Sequence, residues 1–121
     1  MELAVFKQRV GQRLGIVPAA GSLAAEDAEL VTSAYESLFA ELYENSLAPW
    51  GTGTIPDEYA DIVIGMTAAR LVDEFKIPEP RRSSLVMLHA FGLPQPSSNE
   101  RRLRRLIETP PEDEGAPERY F

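Results

Sequence analysis

Apolar residues recur along this chain three and four positions apart, the spacing at which side chains share one face of an α-helix. The first such run covers residues 3–14 and stops at Gly15, a residue suited to the left-handed conformation that closes a helix. A longer run covers residues 23–45, with apolar residues on one side, carboxylates on the other and Ser22 as the expected N-cap. Two helices are therefore predicted before residue 46.

The middle of the chain predicts a helix with two apolar stripes. It is expected to begin at Pro56, since proline favours the first helical position, and to end before Pro78. Because both stripes need cover, this third helix is expected to be the central one. A fourth helix is expected from about Pro80 to Gly92. The stripes consist of Tyr59, Ile62, Val63 and Met66 on one side, and of Ile64, Ala68, Leu71 and Phe75 on the other.

The composition of the chain changes after residue 96. Ser98 or Asn99 is expected to cap a short helical segment that carries four arginines. Beyond Pro110 the density of Pro, Glu and Asp predicts an extended arm. The sequence therefore predicts an all-α fold: a small bundle of about four helices in residues 1–96, and a basic segment with an extended C-terminal tail in residues 97–121.

Charge is distributed unevenly along this acidic chain, whose formal net charge is −7. No Lys or Arg lies between Leu14 and Ala69, a stretch that holds nine carboxylates, whereas residues 70–107 hold eight basic and four acidic side chains. The two parts are expected to attract each other, within one molecule or between copies. The overall acidity argues against a general nucleic-acid binder, which relies on a basic surface.

Few residue types for catalysis or metal binding are present. The 121 residues include no cysteine and one histidine, His89, which leaves little ligand capacity for zinc. Ser83 and Ser84 lie near His89 outside any nucleophile-elbow motif, and the carboxylates of Glu58 and Asp61 are typical of a solvated helix start. No enzymatic activity, metal or cofactor is expected. No apolar run approaches the roughly 18 residues of a membrane span, so a cytosolic protein without a membrane partner is expected.

Two features are candidates for binding a partner. The first is the arginine cluster, for which three interpretations stay open: a solvated helix face, a contact with DNA phosphates, or a docking surface for an acidic partner or a second copy. The second is Trp50, which is either tucked over the helical core or an interface anchor. The arginines of the cluster are Arg101, Arg102, Arg104 and Arg105.

Three blocks cover most of the chain: QRVGQRLGIVPAAGSLAAEDAELVTSAYESLFAEL, IPDEYADIVIGMTAARLVDEFKIP and LRRLIETPPEDEGAPERYF. They form a pattern of helix lengths, turns and termini rather than a catalytic signature. This pattern resembles the head-to-tail adaptor proteins of tailed bacteriophages, which are also called head-completion, connector or packaged-DNA-stabilisation proteins.

That resemblance implies an all-helical subunit that assembles into a ring, typically of twelve copies, beneath the portal protein. Such a ring extends the DNA channel, helps to retain the packaged genome and gives downstream tail or stopper proteins a platform. Packaged double-stranded DNA would pass through without sequence-specific binding. The protein would be a structural part of the virion, at the head–tail neck, assembled in the cytoplasm of the bacterial host.

The resemblance also gives the candidate residues a role. The arginine cluster, Trp50, Tyr120 and Phe121 are expected to bind the portal or a neighbouring subunit. An acidic face on the second helix is a candidate lining of the channel. The alternative is a small helical regulator that binds DNA or a protein through the arginines at 101–105. The acidic face consists of Glu26, Glu29, Glu36 and Glu44.

Overall fold

The computed structural model describes residues 1–18, 21–51 and 53–108, and in these residues it contains five helices and no strand. The all-α class is confirmed, although the number of helices is five rather than about four. The predicted extended arm at 109–121 lies outside the described residues. The helices are α1 (Leu3–Leu14), α2 (Ala25–Glu44), α3 (Asp57–Arg70), α4 (Arg81–His89) and α5 (Ser98–Glu108).

Helix α1 ends at the predicted glycine. Gly15 has a φ of 84°, and its N–H is shared between the carbonyls of Gly11 and Gln12. The guanidinium of Arg81 lies directly over Gly15 and donates to the Arg13 carbonyl at 3.1 Å. Since the last carbonyls of a helix lack partners within it, this arginine completes the C-terminal end of α1.

Helix α2 begins without the predicted side-chain cap. Its N-cap is Ala24, with no capping hydrogen bond, so the assignment of Ser22 was wrong. The reason lies in α1, where the Gln8 amide holds the segment that precedes α2. Gln8 accepts the Leu23 N–H at 3.1 Å and donates to the Gly21 carbonyl. This bracket fixes the backbone in a path that keeps Ser22 away from the helix start.

Helix α3 lies at the centre of the fold, as its two apolar stripes predicted. It packs against each of the other four helices, and Ala60 together with all of residues 62–69 is buried. The helix ends at Arg70, earlier than expected, and a helical turn continues to Lys76. Lys76 has a φ of 53°, and the Ile77 N–H bonds to the Val72 carbonyl at 2.9 Å, which closes the turn in a Schellman arrangement.

Helix α5 is capped one residue earlier than predicted. The Ser97 hydroxyl accepts the Glu100 N–H at 3.1 Å, so the cap is neither Ser98 nor Asn99. Asn99 is 3% exposed and bonds to α3 instead, and Leu103 is fully buried. The basic segment therefore packs on the helical body. The division of the chain at residue 96 stays a prediction, because the arm lies beyond the described residues.

The central helix separates two groups of helices. Helices α1 and α2 contact each other and α3, whereas α4 and α5 contact each other and α3. Within the described residues, the backbone of α2 approaches neither α4 nor α5. The acidic helix and the basic helix therefore lie on different sides of α3. None of the described helices is both long and apolar enough to cross a bilayer.

Candidate functional site

Two of the four arginines on α5 are held by this protein's own side chains. Arg102 donates to the side-chain amide oxygen of Asn99 at 3.2 Å and contacts the Asp61 carboxylate at 3.6 Å. Arg104 forms an ion pair of 3.1 Å with Glu100, one turn earlier on the same helix. Glu100 is itself buried and accepts the N–H of Gly92, so it ties α5 to the preceding loop.

The other two arginines of α5 face solvent. Arg101 and Arg105 are exposed, and neither forms an ion pair with any residue that the structure describes. They lie four positions apart, so they share one face of the helix. Within the predicted cluster of four, this pair is the part without an acidic partner among the described residues.

The candidate acidic residues form one face of α2. At 3.6 residues per turn the four glutamates fall within about 80° of arc, and all four are exposed. None of them forms an ion pair within the described part of the chain, in contrast to Glu41, which pairs with Arg70 at 2.7 Å. The structure thus places four exposed glutamates along one side of α2, namely Glu26, Glu29, Glu36 and Glu44.

Trp50 lies over the helical core, the first of its two interpretations. Its side chain is 8% exposed, and its indole N–H donates to the Tyr35 hydroxyl at 3.1 Å. The ring stacks on Tyr59 with centroids 4.9 Å apart. Burial raises the pKa of the Tyr35 hydroxyl, which therefore stays neutral near pH 7. In this conformation the indole is not presented to a partner. Tyr120 and Phe121 lie outside the described residues.

His89 and Asn99 meet where α4 and α5 pack on α3. The Asn99 side-chain NH₂ lies 2.7 Å from Nδ1 of His89 and donates to the Ile62 carbonyl at 3.2 Å. Nδ1 must therefore accept, which makes the imidazole neutral with its proton on Nε2. Burial lowers the pKa of His89, and the charge of Arg13 lowers it further. Gly65 provides the space, since a Cβ there would lie 2.5 Å from Nδ1.

Ser83, one of the two serines near His89, is engaged elsewhere. The Ser83 hydroxyl donates to the Glu79 carboxylate at 2.8 Å, one turn before it. Among residues 1–18, 21–51 and 53–108, no hydrogen bond joins His89 to Ser83 or Ser84. The same ranges contain no group of three His, Cys, Asp or Glu side chains that could hold a metal ion. The histidine is part of the packing between helices in this arrangement.

An open cleft of about 660 Å³ lies between α1 and α3, next to the start of α4. No continuous sequence pattern indicates this cleft, because its basic residues come from distant parts of the chain. The only local signal was the pair Arg9 and Arg13, which share a face of α1 at a spacing of four. The charged and polar residues that line it are Arg9, Gln12, Arg13, Asp57, Asp61 and Arg81.

The charges in this cleft are only partly compensated. Arg13 donates to Asp61 at 2.9 Å, and this hydrogen bond holds the pKa of the Asp61 carboxyl below its usual range. Arg102 approaches the same carboxylate from α5. Arg9 and Arg81 have no carboxylate within ion-pair distance among the described residues. Within residues 1–18, 21–51 and 53–108, two guanidinium groups of the cleft therefore lack a carboxylate partner.

No protein-family model, curated protein or solved structure significantly matches this chain. The resemblance of the three sequence blocks to phage adaptor proteins therefore stays a prediction. The function has to be inferred from the surfaces themselves: the acidic face of α2, the free arginine pair of α5 and the basic cleft between α1 and α3.

Proposed function

We propose that this chain is a structural subunit that assembles head to tail with copies of itself, as a head-to-tail adaptor of a tailed bacteriophage. The main support is the position of its charges. The acidic face of α2 and the arginine pair Arg101 and Arg105 lie on different sides of the central helix. One subunit therefore carries two complementary surfaces that form no ion pair with each other among the described residues.

Complementary surfaces on different sides of a subunit favour heterologous contacts. Such contacts close into a ring when the rotation between neighbours allows it. A two-fold dimer through either surface would place like charges against each other, which costs free energy. A ring is also the assembly that the sequence resemblance implies, with the portal above it and tail or stopper proteins below.

The acidic face has a second role in this proposal. Glutamates that the neighbouring subunit leaves uncovered face the channel, where they repel the phosphates of packaged double-stranded DNA. The duplex would then move through the ring without being bound. The residues at 109–121, including Tyr120 and Phe121, would attach the subunit to the portal in the virion.

A charge exchange tests the head-to-tail contact. We expect Arg101→Glu with Arg105→Glu to abolish rings on the portal, seen as loss of an added ring in negative-stain images of the mixture. Adding Glu29→Arg and Glu36→Arg to the same chain should restore the rings, because the complementarity is then inverted on both surfaces. Lys76→Glu, at an exposed cation outside both surfaces, is the matched control. Rings that survive the first exchange would contradict the proposed contact.

The alternative function, a small regulator that binds DNA or a protein through α5, uses the same arginines. Arg102 and Arg104 are engaged by Asp61 and Glu100, which leaves two side chains for phosphate on a protein of net charge −7. Binding to duplex DNA would release few counterions and depend weakly on salt. A steep loss of duplex affinity with salt would favour this alternative over the adaptor.

A further inference from the structure

The cleft between α1 and α3 is lined by Arg9 and Arg81, of which Arg81 is held in place. Arg81 is anchored from the opposite side, since its Nη1 donates to the Arg13 carbonyl and its guanidinium lies over Gly15. Arg9 lies one turn before Arg13 on α1 and borders the same space. A side chain that is already positioned, as Arg81 is, loses less conformational entropy when it binds.

Carboxylates on a flexible peptide are the ligand that this cleft suits best. Arginine pairs with carboxylates through two parallel N–H donors, and the geometry favours it over lysine for this purpose. A cleft of about 660 Å³ accommodates a few residues of extended peptide. It is too small to receive a nucleic-acid duplex, so phosphates of DNA would meet only its rim.

Helix α5 lies beside this cleft. Arg102 of α5 contacts Asp61, which lines the cleft, at 3.6 Å. From Arg102 to the end of α5 is about 9 Å at 1.5 Å per residue. The next ten residues span up to roughly 35 Å when extended. Residues 109–118 are therefore long enough to reach the cleft of their own molecule.

We propose that the cleft binds the acidic segment 112–118 of the same chain, with its carboxylates paired to Arg9 and Arg81. This segment, PEDEGAPE from residue 111, contains four carboxylates and no basic residue. Because only a few residues connect it to α5, its effective concentration at the cleft is on the order of millimolar. Weak individual pairs are then sufficient to keep it bound at low salt.

This contact goes beyond the adaptor role, because it concerns the free subunit in solution and needs no ring or portal. It gives the C-terminal segment two states: bound to its own cleft, or displaced by a partner with a more acidic surface. A segment held in this way does not bind a partner until that exchange occurs.

A spin label on the full-length chain tests the contact. The protein contains no cysteine, so Ala116→Cys gives a single attachment site for a nitroxide. In ¹⁵N-labelled protein at low salt, we expect the amides of residues 9–13 and 81 to lose most of their intensity relative to the reduced, diamagnetic sample. The amides of residues 29–36 on the outer face of α2 should keep theirs. At about 1 M salt, where the Debye length is about 3 Å, the intensity should return.

Matched variants identify the partners of the segment. Arg9→Gln should weaken the intensity loss and Arg9→Gln with Arg81→Gln should abolish it, whereas Lys7→Gln, on another side of α1, should leave it unchanged. Neutralising Glu112, Asp113 and Glu114 to their amides should have the same effect as the double variant without altering the cleft. A segment that keeps its contact after either change would overturn the proposal.

A mixed sample separates one molecule from two. Chain that carries the nitroxide but no ¹⁵N is mixed with ¹⁵N-labelled chain that lacks the nitroxide. Any intensity loss must then come from a second copy. We expect no loss in the mixture. Two results would overturn binding of the segment to its own cleft. One is an intensity loss in the mixture that matches the loss in the chain carrying both the nitroxide and ¹⁵N. The other is a loss confined to α5 in that doubly labelled chain.

Discussion

Asn99 donates its side-chain amide to Nδ1 of His89 over 2.7 Å, at the junction of α3, α4 and α5. The same NH₂ group bonds to the Ile62 carbonyl, and the Asn99 oxygen accepts from Arg102. The Asn99 side chain therefore links α4 and α5 to α3. It also contacts Arg102, whose partner Asp61 lines the cleft. The hydrogen bond from the Asn99 amide to His89 forms only while Nδ1 carries no proton, because the amide donor cannot bond to a second donor.

Protonation of His89 is expected to destabilise the fold. Its folded-state pKa lies below the ordinary value of 6.5, so the unfolded chain binds the proton more readily. The contribution of His89 to the free energy of unfolding is fully present above pH 6.5. It decreases as the pH falls below that value, and it stops changing once His89 is protonated in the folded state as well. Urea unfolding at a series of pH values from 7.5 downwards measures this loss.

The variant His89→Gln provides the control for that titration. Glutamine keeps an acceptor for the Asn99 amide but has no group that titrates in this range. We expect its free energy of unfolding to change less with pH between 7 and 5 than that of the unchanged protein. Equal pH dependence in the two proteins would assign the loss to other groups.

Removal of the Asn99 side chain should cost more than removal of a neighbouring polar side chain. Asn99→Ala removes the bonds that the amide makes to the His89 ring and to the Ile62 carbonyl at a buried position, a loss of about 1–3 kcal/mol. Arg101→Ala removes an exposed side chain of the same helix and should change stability by at most about 0.5 kcal/mol. Chemical denaturation of both variants gives the comparison. Similar costs would show that the amide does not link the helices.

Gly65 is expected to tolerate no larger residue, even though it lies inside a helix. Alanine would normally stabilise a helix interior by up to about 1 kcal/mol relative to glycine. At this position its Cβ would lie 2.5 Å from His89 Nδ1 and 2.7 Å from Asn99 Nδ2, so α4 and α5 would have to move away from α3. We expect Gly65→Ala to be destabilising by about 1–3 kcal/mol, the usual cost of overpacking.

A second glycine serves as the comparison for this substitution. A Cβ at Gly53 would meet no atom within 4 Å, so Gly53→Ala should leave thermal stability almost unchanged. If Gly65→Ala were as stable as Gly53→Ala, the close packing of α3 against His89 and Asn99 would not be maintained in solution.

Local features of this fold were readable from the sequence, whereas contacts between distant segments were not. The period of the apolar residues gave the helices, and Gly15 gave the end of α1, because both depend on neighbours along the chain. Ser22 failed as a cap because Gln8, fourteen residues earlier, holds the backbone next to it. Capping preferences describe a helix alone and contain no information about such a bracket.

The candidate sites also differ in whether they depend on local spacing or on contacts between distant segments. The acidic face of α2 followed from helical spacing alone, and all four of its glutamates are exposed. The arginine cluster was treated as one unit, but two of its members contact Asp61, Asn99 and Glu100. The basic cleft depends on Arg81 lying over Gly15, a contact between residues 66 positions apart that no local pattern indicates.

Asp61 contributes both to the stability of the fold and to the charge of the cleft. Its neutralisation should lower the stability and make the cleft more positive. Asp61→Asn removes ion pairs with Arg13 and Arg102 at a carboxylate that is 63% exposed, so the stability loss should be at most about 1 kcal/mol for each pair. The same change frees Arg13 as a third guanidinium beside Arg9 and Arg81. If the cleft binds carboxylates of the C-terminal segment, the spin-label effect on residues 9–13 should then persist to higher salt than in the unchanged protein. Glu58→Gln removes an exposed carboxylate of the same helix that does not line the cleft and forms no ion pair among the described residues, so it should leave the salt resistance unchanged. A reduced spin-label effect in folded Asp61→Asn would mean that this carboxylate positions the arginines rather than competing for them.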